Sequence, residues 1–423
     1  MKQKILLDFF FTPEVGKFFS VNIWASNLLL ILSKIGKYKI DVIVGLGGAI
    51  STKEGQAAID YVWDAHYDEV FPSKNKNDLR LNKAFYYKNF DEEKVKDYDV
   101  LIQVLSCSQV KNFNFERSII IHYDLIPLEY LHAAAIPVVA PSFLKNTEED
   151  KHIACISKPV RDNLTQLLPH TQRLSKVLPI VFQHLSDQTV RGQSKSFDQI
   201  VLKYASKALD RINFLPSKED KYVLKIGSLD LVSDRKNHRL TLLAWEKYCQ
   251  MFPQHKVKLV LLGGGGVGHD DSFIHFGPSN IAPERLRHYL KTGEIIMLKN
   301  VCQLDVISLI KRAQCLVLPS KAEGFGMPAI EAMYFGCPAI LSDIEIFKWV
   351  AKDAALFCNP YSVDSLVSCF IELLVSTDKD FKRKNLIDKG YQNIKRFSFE
   401  EIAPLWESFI DTVASFGRTG AVL

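Results

Sequence analysis

The segment Leu318 to Asp343, LPSKAEGFGMPAIEAMYFGCPAILSD, constrains the fold more than any other part of the 423-residue chain. Cys315–Leu318 is an unbroken apolar run with the length of a buried strand. A turn built on Gly324-Phe325-Gly326 follows. Pro328 then suits the start of a helix, where its missing N–H is not needed. Ala329 to Met333 continue that helix, and Gly336 suits its end. Ala339–Leu341 resumes the apolar pattern as a strand. Strand, glycine loop, helix and strand in this order predict a parallel sheet covered by helices.

The same alternation runs along the whole chain. Lys4–Phe11, Ile40–Gly45, Val100–Val104, Ser118–His122 and Ile153–Ser157 read as strands, and Asn22–Lys34 as an amphipathic helix. Tyr222–Ile226, Lys256–Leu262 and Ile295–Leu298 join Cys315–Leu318 and Ala339–Leu341 in the second half. Two α/β units in tandem are therefore expected, and the length suits two domains of roughly 200 residues each. The polar, basic stretch between Pro179 and Tyr222 marks the boundary. The expected division is 1–183, a linker 184–221, a second domain 222–394 and a closing segment 395–423. Within the linker, Val201–Phe214 reads as a helix with Lys203, Lys207 and Arg211 along one stripe, either solvated or facing a membrane or acceptor. The closing segment reads as a helix with apolar Ile402, Leu405, Phe409, Ile410 and Val413.

Composition narrows the function classes. A formal charge of +5 without a dense Lys/Arg block argues against nucleic-acid binding but favours the approach of a small anion. Eight cysteines without a CxxC, mostly in apolar runs, read as small core residues of a reducing compartment, not as bridges or metal ligands. The apolar run at the N-terminus is short and carries Asp8, so it reads as a core strand and not a signal peptide. Ile23–Leu32 is too short to cross a bilayer. The expectation is a cytoplasmic protein, soluble or at most peripheral at the inner face of a membrane.

The chemistry concentrates in the opening segment. A glycine loop at a helix N-terminus presents N–H groups and a positive dipole end to an anion such as a phosphate. Glu323 stands in the loop and Glu331 eight residues later on the helix. Two acceptors flanking an anion site suit a ligand with a phosphate and hydroxyls at both ends, such as a nucleotide-sugar. Arg235-Lys236-Asn237 lies between the strand run KIGSL and the helical stretch HRLTLLAWEKY. An Arg fork and a Lys point charge are complementary phosphate ligands. His122 closes an apolar β run, at the strand end where open α/β sheets bind ligands. Asp124 follows it, and Ser157 suits a helix cap. Gly263–Gly268 fits GxGxxG, but HDDSFIHFG follows it where a helix is required, so it reads as a loop. Asp97-Tyr98-Asp99 and Asp378-Lys379-Asp380 have a spacing used for divalent metals. They read here as solvated turns.

The motif PSKAEGFGMPAIEAMYFGCP, with Glu323 and Glu331 separated by seven residues, resembles the signature of retaining glycosyltransferases of family 4 (glycosyl transferases group 1). The resemblance is strong in the second half and loose in the first. It implies the GT-B fold, two Rossmann-like domains facing each other across a cleft, with the terminal helix crossing back to the first. It implies transfer of a hexose-type sugar from a nucleotide-diphosphate sugar to an acceptor hydroxyl, with retention and without a metal or other cofactor. The commonest setting of such enzymes is bacterial surface-polysaccharide or glycoconjugate assembly. By this resemblance Arg235, Lys236, Gly324, Phe325, Gly326 and Glu331 bind the donor, and Glu323, Lys236 and His122 serve the reaction. Gly16 and Asp124 belong to the acceptor and sugar loops, where Phe18 and Phe19 either cover the sugar or pack in the core. Ser228 stands where many relatives have Arg. Two other readings remain open from sequence: a GT-B nucleotide-sugar epimerase, and a non-catalytic partner subunit.

Overall fold

The apolar runs become strands of two parallel sheets, inner ones except for Ile295–Leu298. The computed structural model describes residues 2–11, 20–46, 81–86, 92–104, 115–123, 151–182, 216–227, 235–263, 283–298, 301 and 303–416. The chain divides into two units, 1–187 together with 396–423, and 188–395.

The first unit holds β1 (Lys4–Phe11), β2 (Lys39–Leu46), β3 (Leu81–Tyr86), β4 (Val100–Gln103), β5 (Ser118–His122), β6 (His152–Cys155) and β7 (Ser175–Val177), with helices α1 (Ser20–Ile35) and α2 (Lys158–Leu167). Its seven-stranded sheet runs β3-β2-β1-β4-β5-β6-β7, and every pairing is parallel. A parallel sheet is covered on both faces, so its inner strands are apolar along their length. Ser118-Ile119-Ile120-Ile121-His122 is accordingly buried at all five positions. Leu6, Ile43, Val95, Tyr98 and Leu101 form one of its clusters.

The second unit holds β8 (Tyr222–Ile226), helix α3 (His238–Met251), β9 (Lys258–Leu262), α4 (Pro283–Thr292), β10 (Ile295–Leu298), α5 (Gln303–Arg312), β11 (Cys315–Leu318), α6 (Met327–Phe335), β12 (Ala339–Ser342), α7 (Glu345–Ala351), β13 (Leu356–Cys358), α8 (Val363–Leu374) and α9 (Lys379–Asn393). Its six-stranded sheet runs β10-β9-β8-β11-β12-β13, again parallel throughout. One large cluster fills part of its core. There α8 lays Leu366, Phe370 and Leu373 on α3, and the Phe370 ring meets Tyr248 edge-on at 5.8 Å. Each such side chain contributes about 1.5–3 kcal/mol by leaving water.

Helix α10 (Phe399–Ser415) returns to the first unit. Ser398 caps it by accepting from Glu401 N at 3.4 Å. Trp406 is fully buried, stacks edge-on with Trp24 at 5.8 Å and donates to the Pro179 carbonyl at 3.4 Å.

Both sheets share one topology. The chain steps outward from β1 through β2 to β3, then returns to place β4 beside β1. From β8 it steps through β9 to β10 and returns to place β11 beside β8. The strand order thus reverses between β1 and β4, and between β8 and β11, where open α/β sheets bind ligands beyond the strand carboxyl ends. Three strands escaped the sequence reading: β3, β7 and β13, all at sheet edges. Ile153–Ser157 ends as a strand at Cys155, and Ser157 caps α2 by accepting from Val160 N at 3.3 Å. Of the triplet read as a solvated turn, Asp97 is exposed, whereas Tyr98 and Asp99 are tied into the first unit. Buried Tyr98 donates to Asp41 at 2.7 Å, and Asp99 accepts from Lys4 N at 2.8 Å. Asp378 sits at the N-cap of α9, paired with Lys382 at 3.4 Å. The linker stretch 201–214, Gly16, Phe18, Phe19, Asp124, Ser228 and Gly264–Gly268 lie outside the described residues. No helix among the described residues is long and apolar enough to cross a membrane.

Candidate functional site

The loops after β8 and β11 meet because those strands are sheet neighbours, with Val223 beside Cys315 and Leu224 beside Leu316. Beyond β11, the loop 319–326 leads into α6. Beyond β8, Gly227 precedes the Arg235-Lys236-Asn237 turn that opens α3.

The two segments are stitched together by their backbones. Lys321 N donates to the Arg235 carbonyl at 2.8 Å. Asn237 takes the left-handed conformation, φ 55° and ψ 48°, which Asn tolerates better than most residues. Its side-chain amide donates to the carbonyls of Pro319 at 2.9 Å and Pro360 at 2.7 Å. The aliphatic stem of Lys236 lies against Gly227, where a Cβ would stand 3.4 Å from it. Phe325 is buried and packs edge-on against Trp349 at 6.1 Å. Gly326 has φ 81°, and a Cβ there would run into the Phe347 ring, so the loop requires glycine. Pro328 lies in the first turn of α6, and Gly336 ends the helix with φ 72°.

This scaffold brings Glu323, Lys236 and Arg235 together. Lys236 Nζ donates to both carboxylate oxygens, at 2.6 and 2.9 Å. Arg235 Nη1 donates to Glu323 Oε2 at 3.3 Å and to the Ala322 carbonyl at 3.0 Å. The Glu323 side chain is only 8% exposed. Burial pushes its carboxyl up, but the Lys236 and Arg235 charges more than offset this and hold it at about 2. Glu331 lies on α6, buried at 7% exposure. Gly324 is buried between Glu323 and Phe325. The second-unit residues singled out from sequence thus lie on two adjacent loops and the helix that follows one of them.

His122 belongs to the other unit. It ends β5 at 2% exposure, and burial lowers its imidazole to about 3, so it is neutral at physiological pH. A neutral ring offers both a donor and an acceptor to a hydroxyl.

Two residues of the site were missed in the sequence. Lys225, on β8, is fully buried, and its Nζ donates to the Lys236 carbonyl at 2.6 Å. Burial first, and then the neighbouring Lys236 charge, lower its ammonium to about 7. The signal was a lysine inside the otherwise apolar run Tyr-Val-Leu-Lys-Ile. Gly227, against the Lys236 stem, left no signal beyond its being a glycine.

Residues 206–393 match the family model described as Glycosyl transferases group 1. The chain is 29% identical over 180 residues to O-antigen chain mannosyltransferase B of Escherichia coli, a stretch covering 42% of each protein. It is 42% identical over 67 residues to O-antigen chain mannosyltransferase RfbU of Salmonella typhimurium, 16% of this chain and 19% of that protein. The matched stretch spans less than half the length of these relatives. Among solved structures, Anabaena Alr3699/HepE in complex with UDP and glucose superposes with a TM-score of 0.63 at 12% identity, covering 97% of this chain and 100% of that one. WaaG, a glycosyltransferase involved in lipopolysaccharide biosynthesis, gives 0.58 at 12% identity over 99% of this chain and 100% of that one. The chain therefore has the GT-B fold, built from two Rossmann-like units, and within it residues 206–393 are similar to the group 1 glycosyltransferases.

Proposed function

We propose that this chain is a retaining hexosyltransferase that takes a sugar from a nucleotide-diphosphate donor and delivers it to an acceptor hydroxyl in bacterial surface-polysaccharide assembly. The observation that carries the reading is the Arg235–Lys236–Glu323 cluster on the loops beyond β8 and β11. Mannose is the proposed sugar and GDP-mannose the first donor to test. Relatives from two bacteria are mannosyltransferases by name, and another is a GDP-mannose:cellobiosyl-diphosphopolyprenol alpha-mannosyltransferase of Xanthomonas oryzae.

In this mechanism the bond between the anomeric carbon and the diphosphate breaks, and its electron pair leaves with the diphosphate. Arg235, Lys236 and the amides of Gly324, Phe325 and Gly326 stabilise that charge, which is where such a site gains most of its rate. Lys236 turns from Glu323 towards the incoming phosphate. The Glu323 carboxylate is thereby released to accept from a hydroxyl of the transferred sugar. Glu331 accepts from the ribose hydroxyls. The acceptor oxygen bonds the anomeric carbon from the face the diphosphate leaves, and its proton passes to the departing phosphate. The two cations supply the positive charge that a metal provides elsewhere, so no metal is required. Acceptor recognition is assigned to the first unit, with neutral His122 contacting sugar hydroxyls and Gly16 and Asp124 on the acceptor side.

The test is thermal denaturation with GDP-mannose and UDP-glucose, followed by an assay for released nucleotide with and without EDTA. A donor at a hundred times its dissociation constant stabilises by about 2.7 kcal/mol. No shift with either nucleotide-sugar counts against the donor site. Loss of turnover in EDTA, restored by Mg²⁺, counts against metal independence.

A further inference from the structure

Three contacts fix the Arg235-Lys236-Asn237 turn. Lys321 N holds the Arg235 carbonyl, the Asn237 amide bridges Pro319 and Pro360, and Lys225 Nζ holds the Lys236 carbonyl. The first two use neutral donors. The third uses an ammonium at 0% exposure, placed beside two further cations. Burying a charge costs several kcal/mol unless it is compensated, and like charges nearby add to that cost. A neutral donor would hold the same carbonyl more cheaply. What the ammonium adds is positive charge beneath the cluster that faces the proposed diphosphate.

We propose that Lys225 is a positioning residue of the donor site. It fixes the turn carrying Arg235 and Lys236 through the Lys236 carbonyl, and its charge strengthens the hold on a diphosphate. The proposal rests on the donor reading above. The groups that act on Lys225 are Lys236 and Arg235 from the turn, Glu323 from the loop after β11, and Cys358 from β13. Two of these are cations and one is a carboxylate, so an anion arriving at the cluster favours the protonated form of Lys225. With its ammonium lowered to about 7, Lys225 carries the charge below that pH and loses it above. Donor affinity should therefore fall as pH rises through about 7.

The test compares the full chain with its Lys225→Met variant. Methionine keeps a similar length and volume and removes only the ammonium. The variant leaves no buried ammonium beside the Arg235 and Lys236 charges but takes a donor from the Lys236 carbonyl, and a thermal melt checks that it folds. Without ligand, amides of residues 235–241 should exchange with solvent about tenfold faster in the variant, because a charged hydrogen bond is lost. With GDP-mannose as probe, the wild-type dissociation constant should rise between pH 6 and 8. That of Lys225→Met should be about tenfold weaker at pH 6 and flat with pH. Equal exchange together with identical pH profiles would overturn the proposal and leave Lys225 a core filler. A wild-type chain that binds no nucleotide-sugar would sink the donor reading alone, since the exchange comparison needs no donor and still decides whether Lys225 holds the turn.

Discussion

Lys236 and Glu323 define each other's behaviour. Glu323 has a folded-state pKa of about 2 against an ordinary 4.5. A depressed carboxylate contributes stability that is present above its unfolded value and lost as pH falls towards the folded one. The second unit should thus lose stability between about pH 4.5 and 2. A Lys236→Met variant should show a shallower loss over that window in urea melts followed as a function of pH. Equal slopes would mean the pair is not coupled. On the proposed reading of the reaction, Lys236→Ala deletes a charge that stabilises the leaving diphosphate. Loss of one preorganised donor costs about 2.7–4 kcal/mol, or roughly 10²–10³ in kcat. Normal turnover would reject the phosphate site. The two glutamates should divide the work. On the proposed reading Glu331 contacts ribose and Glu323 a hydroxyl of the transferred sugar, so Glu331→Gln should mainly raise KM and Glu323→Gln should lower kcat. Steady-state kinetics showing the reverse pattern would mean the roles are exchanged.

At the scale of the element, the unit β11–loop–α6 depends on backbone geometry that side chains cannot replace. Gly326 combines φ 81° with a Cβ position occupied by Phe347. Gly326→Ala should therefore cost about 1–3 kcal/mol through overpacking and left-handed strain. A fall in melting temperature, with loss of nucleotide-sugar affinity, would show it; an unchanged melt would mean Phe347 yields freely. This element was legible because its punctuation is local: Pro328 at the helix start and Gly336 at its end act within one turn. The edge strands β3, β7 and β13 were not legible. An edge strand is covered less than an inner one, so β3 and β7 carry no unbroken apolar run, while β13, Leu-Phe-Cys, is only three residues long. Ser-Lys-Val of β7 shows this, with its lysine exposed. The Asp97–Asp99 triplet is solvated at Asp97 but not throughout. Its polar spacing looked solvated, yet Tyr98 and Asp99 find partners 57 and 95 residues away.

At the scale of the whole molecule, each unit has its own core, and α10 belongs to the first although it follows the second in sequence. Trp406 anchors it, fully buried against Trp24. Trp406→Ala should destabilise the first unit by about 3–5 kcal/mol. Hydrogen exchange should quicken in β1, β4 and α1 while β8 to β13 keep their protection; uniform quickening would show that the two units unfold as one. The Lys37 pairs with Glu407 and Asp411 add little to this anchoring, since all three side chains are about 40% exposed. The sequence by itself determined the alternating strands and helices, the glycine loop and the helix ends, which follow from side-chain periodicity and from what Gly and Pro permit within a few residues. It offered Arg235, Lys236, Glu323 and Glu331 as candidates, through residue type and a family resemblance. Only the tertiary structure decided that Lys236 grips Glu323 across 87 residues of chain and that Lys225 stands beneath them. Both depend on β11 returning to the side of β8, an order chosen by the packing of the whole sheet and carried by no local run of residues.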